Sequence, residues 1–124
     1  ANLTGANLEY ATMWNCNFAG AILFGAELHH ADCSGSIFSG AMLAETNLAY
    51  TNLSNADLMH ADLSGANFEE ATLAGADLSG ANLHGARQLT VQQLGFVRSL
   101  NGASIDEPLL RDVQEHHPHL LNAE

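Results

Sequence analysis

Basic residues are nearly missing from this chain: Lys and Arg together number three against fourteen Asp and Glu, the formal net charge is -11, and residues 1–86 contain neither Lys nor Arg. With no cationic groove to release counterions, direct binding to a nucleic-acid backbone is disfavoured, and an anionic membrane surface is disfavoured for the same reason. Cysteine is scarce too. Cys16 and Cys33 follow no metal spacing and are too few for a secreted disulfide framework. Long apolar runs are absent, because Asn, Asp, Ser and Gly interrupt the Ala and Leu every few positions, so no segment reaches the roughly eighteen residues of a membrane span. The chain opens at Ala1 with no Met and no leader ahead of it, which leaves targeting illegible. The reading is cytoplasmic, with periplasm or thylakoid lumen left open.

What is present is periodicity. The 124 residues are enough for one domain, and 47% hydrophobic content excludes the disordered class despite the charge. Written in fives from Ala1, residues 1–85 form seventeen units, ANLTG and ANLEY through ADLSG and ANLHG, without an insertion. The first place holds only Ala, Cys, Ser or Thr; the third holds Leu, Phe, Met or, once, Cys33. Places one and three share a side in extended chain while two and four point away, so one side is packed and the other wet. A strict repeat of five fits neither the helical period nor a heptad. Cys16 and Cys33 fall on inward places, which reads as two buried, inert thiols.

The fifth place is Gly or Asn in eleven of the seventeen units, the residue types that reach positive φ cheaply, so each extended stretch ends in a turn and the chain coils around its apolar side. Grouping by twenty collects four of the six exceptions, Tyr10, His30, Tyr50 and Glu70, into one column, which argues for four sides per coil, with that corner using a different turn. Phe18 and Phe38 then lie one coil apart, placed for their rings to stack. Successive coils should pair as parallel strands about 4.8 Å apart.

The ADLSG and ANLHG units resemble the pentapeptide-repeat family, whose consensus is A(D/N)LxX, over residues 1–85. That resemblance implies a right-handed quadrilateral β-helix, with the third residue central in the core and the first residue small beside it. It also implies a cyanobacterial-type member of a group mostly without assigned biochemistry. One branch of the family resists quinolones or controls topoisomerase by presenting a DNA-like acidic rod to gyrase. Acidity favours that reading here, but seventeen units make a rod of only roughly 20 Å, the length of about six base pairs. Gyrase-directed members have longer repeat tracts and a dimerising C-terminal segment with exposed aromatics, whereas the tail here has only Phe96.

The period is lost after Ala86, and residues 86–124 read as a C-terminal cap with two short helices. Thr90 and Gln93 form a capping box for a helix whose apolar face is Val91, Leu94, Val97 and Leu100, with Gly102 past its end. Ala103-Ser104-Ile105 repeats the small-x-large triplet, as one more strand would. Asp106 is placed to cap a second helix through Leu109, Leu110 and Val113 that ends before Pro118.

No enzyme is read here. The histidines at 29, 30, 60, 84, 116, 117 and 119 do not converge in this topology, no nucleophile sits in a motif, and a filled solenoid leaves no natural pocket for a small-molecule substrate or cofactor. The departures from pattern are hydrophobic. Ile22, Phe24 and Met42 occupy outward places on one side of neighbouring coils, Ile37 and Met59 lie on the adjoining side, and Trp14 is on the opposite one. They mark an interaction surface for another protein or for self-association. The sequence therefore reads as a non-catalytic interaction or scaffold module, with an acidic DNA mimic acting on gyrase as the alternative.

Overall fold

A computed structural model describes residues 2–122 and shows the coil directly. Parallel bridges join the second places from Asn2 through Asn67 to the residue twenty positions on: Asn2 to Ile22, Ile22 to Met42, Met42 to Asp62, and so around all four sides. Each side is too short for a full strand, so the ladder consists of single bridges separated by turns. Its hydrogen bonds follow one rule. The third-place N–H donates to the coil below, as Leu23 does to Met42 O at 2.8 Å, and the second-place N–H donates to the coil above, as Met42 does to Ala21 O at 2.9 Å. Within a coil the first-place N–H closes a turn onto the preceding third-place carbonyl, as Ala26 does to Leu23 at 3.0 Å.

The inward places fill the interior completely. Leu23, Leu28, Leu58, Leu63, Phe68 and Leu78 are fully buried, with alanines beside them, and Phe18 stacks on Phe38 at 5.2 Å with planes 10° apart. Ser36, Thr46 and Thr51 fit the small first place because each hydroxyl donates to a backbone carbonyl, of Met13, Leu43 and Leu28 respectively. Leu3, Leu8, Phe18 and Cys16 in the first coil are only half-buried, having no coil above them among the described residues. Cys16 thus departs from the expected full burial, whereas Cys33 is fully buried and its thiol is pushed up to about 12 by desolvation, with Asp32 and Cys16 adding to the effect.

All seventeen fifth places have left-handed φ, from Gly5 to Gly85. The expectation of a different turn at the Tyr10 corner is therefore corrected: Tyr10, His30, Tyr50 and Glu70 have φ of 63, 63, 59 and 54° and turn as the glycines do. For a residue with a Cβ that conformation costs about 1–2 kcal/mol. Ring stacking offsets part of this, since His30 lies between Tyr10 and Tyr50 at 4.8 and 4.9 Å with planes 11° and 4° apart. At the other corners a side chain lies over a glycine of the next coil instead. Asn15, Glu45, Asn55 and His60 occupy the space a Cβ would need on Gly35, Gly65, Gly75 and Gly80.

The C-terminal segment keeps part of the expected plan. Thr90 and Gln93 make the capping box, but α1 is one turn, Val91–Leu94. Val97 and Leu100 are buried beyond it, because the chain resumes coiling: Ser99 bridges Asp77, and Ser104 bridges Asn82 as the triplet anticipated. Gln93 Nε2 donates to Phe68 O and Ala71 O, fastening α1 to the last coil. The second helix, α2, spans Leu109–His116, followed by a 3-10 turn at Pro118–Leu121. Asp106 does not cap α2 with its side chain. Pro108 holds the cap position without a side-chain bond, and the Asp106 carboxylate instead accepts from Gly85 N–H at 2.7 Å beside His84 Nδ1 at 2.9 Å. Leu94, Leu100, Val113 and Leu120 join the solenoid core. No helix in the described residues is long and apolar enough to cross a membrane.

Candidate interaction surfaces

The outward places have their own rule, which the five-residue pattern did not reveal. An Asn or Asp at the second place turns its Oδ1 back to accept from the fourth-place N–H two residues on, as Asp32 does for Ser34 at 3.1 Å, Asn52 for Ser54 at 3.0 Å and Asp57 for Met59 at 3.0 Å. Asp62 and Asp77 make the same bond to Ser64 and Ser79 and also accept those serine hydroxyls at 2.7 Å. The second place is therefore a turn-stabilising position, not a free one. Much of the acidity of the rod has a structural origin, since four aspartates do what asparagine does elsewhere.

Against this rule the hydrophobic departures stand out more sharply. Ile22, Ile37 and Met42 occupy second places and offer no acceptor, so the N–H groups of Phe24, Ser39 and Ala44 lack the bond that eleven other units make. Phe24 is 46% exposed, Met42 45% and Ile37 39%. Ile22 and Met59 are half-buried, Ile22 bridging directly to Met42 in the next coil. The five residues thus lie on two adjoining sides around the Gly20–Gly40 corner, with Glu45, Asp57 and Asp62 at their border.

A second grouping emerges two corners away. The exposed Tyr10, His30 and Tyr50 stack is flanked by His29, whose Nε2 lies 2.9 Å from Glu9 Oε2 and 3.8 Å from Glu27 Oε1. Asn47 Nδ2 donates to Glu27 at 3.1 Å, completing a polar strip down that side. Grouping by twenty is the signal that places Tyr10, His30 and Tyr50 together. The pairing of Glu9 with His29 across coils becomes visible only once the ladder register is known. At the foot of this corner a hollow of about 420 Å³ is lined by Glu69, Glu70, Thr72, Gln88 and Gln92.

Comparison with known proteins agrees with this architecture. The family model for Pentapeptide repeats (8 copies) matches residues 1–40, 26–65 and 51–87. No curated protein matches the chain. Among solved structures, a pentapeptide repeat protein from the Arabidopsis thaliana thylakoid lumen is 28% identical with a TM-score of 0.53, the match covering 67% of this chain and 61% of that one. The trypsin-treated QnrB1 structure, a plasmid-mediated fluoroquinolone resistance protein, is 18% identical with a TM-score of 0.57 over 99% of this chain and 67% of its own, a likeness of fold. Rfr23, from the cyanobacterium Cyanothece 51142, is 35% identical over 73% of this chain and 60% of that one, with a TM-score of 0.41. This chain therefore spans about three fifths of the length of the Arabidopsis and Cyanothece proteins. With the matches running continuously from residue 1 to 87, the chain belongs to the pentapeptide-repeat family, whose members fold as right-handed quadrilateral β-helices.

Proposed function

We propose that this chain is a non-catalytic protein-interaction module, a rod of residues 1–85 closed by residues 86–124, whose contact surface is the patch of Ile22, Phe24 and Met42 with Ile37 and Met59 beside it. The observation that carries this reading is the forfeited turn bond. Isoleucine or methionine at the second place gives up a hydrogen bond worth about 0.5–1.5 kcal/mol and gains no core contact in exchange. Burying such side chains against a partner contributes about 1.5–3 kcal/mol for each large one. The acidic border of Glu45, Asp57 and Asp62 suits a partner with an apolar centre and a basic rim. The triple variant Ile22→Asn, Phe24→Ser, Met42→Asp tests it. Asn and Asp restore two turn bonds, so melting should be unchanged or higher, while partner capture and self-association by light scattering should both be lost. Association equal to wild type would overturn the reading.

The acidic DNA mimic acting on gyrase is the second reading, favoured by nine acids and no Lys or Arg in residues 1–86. A supercoiling assay separates the two: gyrase inhibition or protection at stoichiometric protein supports mimicry, and unaltered supercoiling leaves the interaction module.

A further inference from the structure

We infer that the corner ridge of Tyr10, His30 and Tyr50 is a second docking edge, and that its partner is a basic segment of another protein, rich in arginine or lysine. Three rings occupy left-handed positions where Gly or Asn would serve the turn without strain, so the fold does not call for them. Their mutual stacking covers both faces of His30 and one face of each tyrosine and leaves a continuous aromatic ridge outward, with Tyr10 67% and Tyr50 48% exposed. Carboxylates accompany the ridge along its length. Glu9 and Glu27 lie on one flank, and Glu69 and Glu70 continue it at the foot, where Tyr50 N–H donates to Glu69 O.

Charge decides the class of partner. Neither Glu69 nor Glu70 has a cationic partner among the described residues, and the hollow they line contains no Lys, Arg or His. Arg87, next to Gln88 of the hollow, donates its Nε to Gly65 O at 3.1 Å and makes no ion pair with Glu69 or Glu70. Lysine and arginine combine an aliphatic stem that can lie across ring rims with a head that reaches carboxylates beyond them. This ridge is diagonally opposite the Ile22–Met42 patch, two corners away around the coil, so both can be engaged at once.

The test titrates a nine-residue oligo-arginine peptide, with a neutral Gly-Ser peptide as control, into the full chain while aromatic and backbone NMR signals are followed. Saturable, salt-weakened binding that moves the rings of Tyr10, His30 and Tyr50 is expected. Tyr10→Asn with Tyr50→Asn leaves the net charge unchanged and suits left-handed φ, and it should weaken binding by about tenfold or more. Glu69→Gln with Glu70→Gln should weaken it more than Asp57→Asn with Asp77→Asn, although each pair removes two charges. Equal loss from the two pairs would reveal diffuse acidity and overturn the inference. So would undiminished binding by the Tyr double variant, or no binding at all.

Discussion

The carboxylate of Asp106 accepts the backbone N–H of Gly85 at 2.7 Å, tying the connection into α2 to the left-handed corner that ends the seventeenth repeat. That bond, then the one with His84, holds the Asp106 carboxyl below its ordinary value of 3.8. A depressed carboxyl pKa contributes stability that is present above the unfolded value and is lost as pH falls through the folded one. Below pH 3.8 the C-terminal segment should therefore loosen first, read as faster hydrogen exchange at the Gly85 amide. Asp106→Asn should remove that acid-dependent step, and an unchanged pH profile in the variant would show that another group controls it.

Glycine corners should divide into two classes. Every Gly→Ala change at a fifth place meets the left-handed penalty of about 1–2 kcal/mol, but at Gly75 the new methyl also meets the Asn55 side chain, whereas at Gly20 it meets nothing. Gly75→Ala should thus destabilise more than Gly20→Ala in urea unfolding. Adding Asn55→Gly should bring the two to the same cost. If they are equal without it, the side chain yields freely.

Core volume gives a third measurement. Leu53 is 2% exposed and Ala56 1%, so Leu53→Ala should cost about 2–5 kcal/mol and Ala56→Leu about 1–3 kcal/mol or more. Leu3→Ala, in the half-buried first coil, should cost clearly less than Leu53→Ala by denaturant midpoint.

The cysteines should separate in a thiol-labelling experiment at pH 8 without denaturant. Cys16 is half-buried and should label, while Cys33, held neutral by burial with its pKa near 12, should wait for unfolding. Because the folded value lies above the ordinary 9.0, the neutral Cys33 thiol contributes stability below pH 9 that is lost progressively toward pH 12. Cys33→Ala should flatten that alkaline decline.

Much of the fold is legible in the sequence because a five-residue rule repeated seventeen times leaves few alternatives: the inward places, the twenty-residue coil and the Phe18–Phe38 stack all follow from it. What depends on competition between neighbours does not follow. Asp106 has the right spacing to cap a helix, but the unpaired Gly85 amide outbids that role once the two meet in space. The Tyr10 corner lacks Gly and Asn, yet stacking lets rings adopt the turn that residue preference alone assigns elsewhere. The apolar patch is visible as an exception to the pattern. Its cost to the turns becomes apparent only when the second-place side chains are seen to hold them, which makes Ile22 and Met42 a local loss.

The seating of Asn55 over Gly75 and of Glu45 over Gly65 constrains how such a rod can grow. Copying residues 21–40 in tandem would set Gly25, Gly35 and Gly40 over their own duplicates, and each corner would close as before. Copying residues 41–60 would set Glu45, Asn55 and His60 over a second Glu, Asn and His, displacing three side chains from the places they now occupy. Lengthening by whole coils is thus not neutral with respect to which coil is copied. Outside the stacked Tyr10 corner, the corners record a directional grammar, in which a bulky letter is followed one coil later by an empty one.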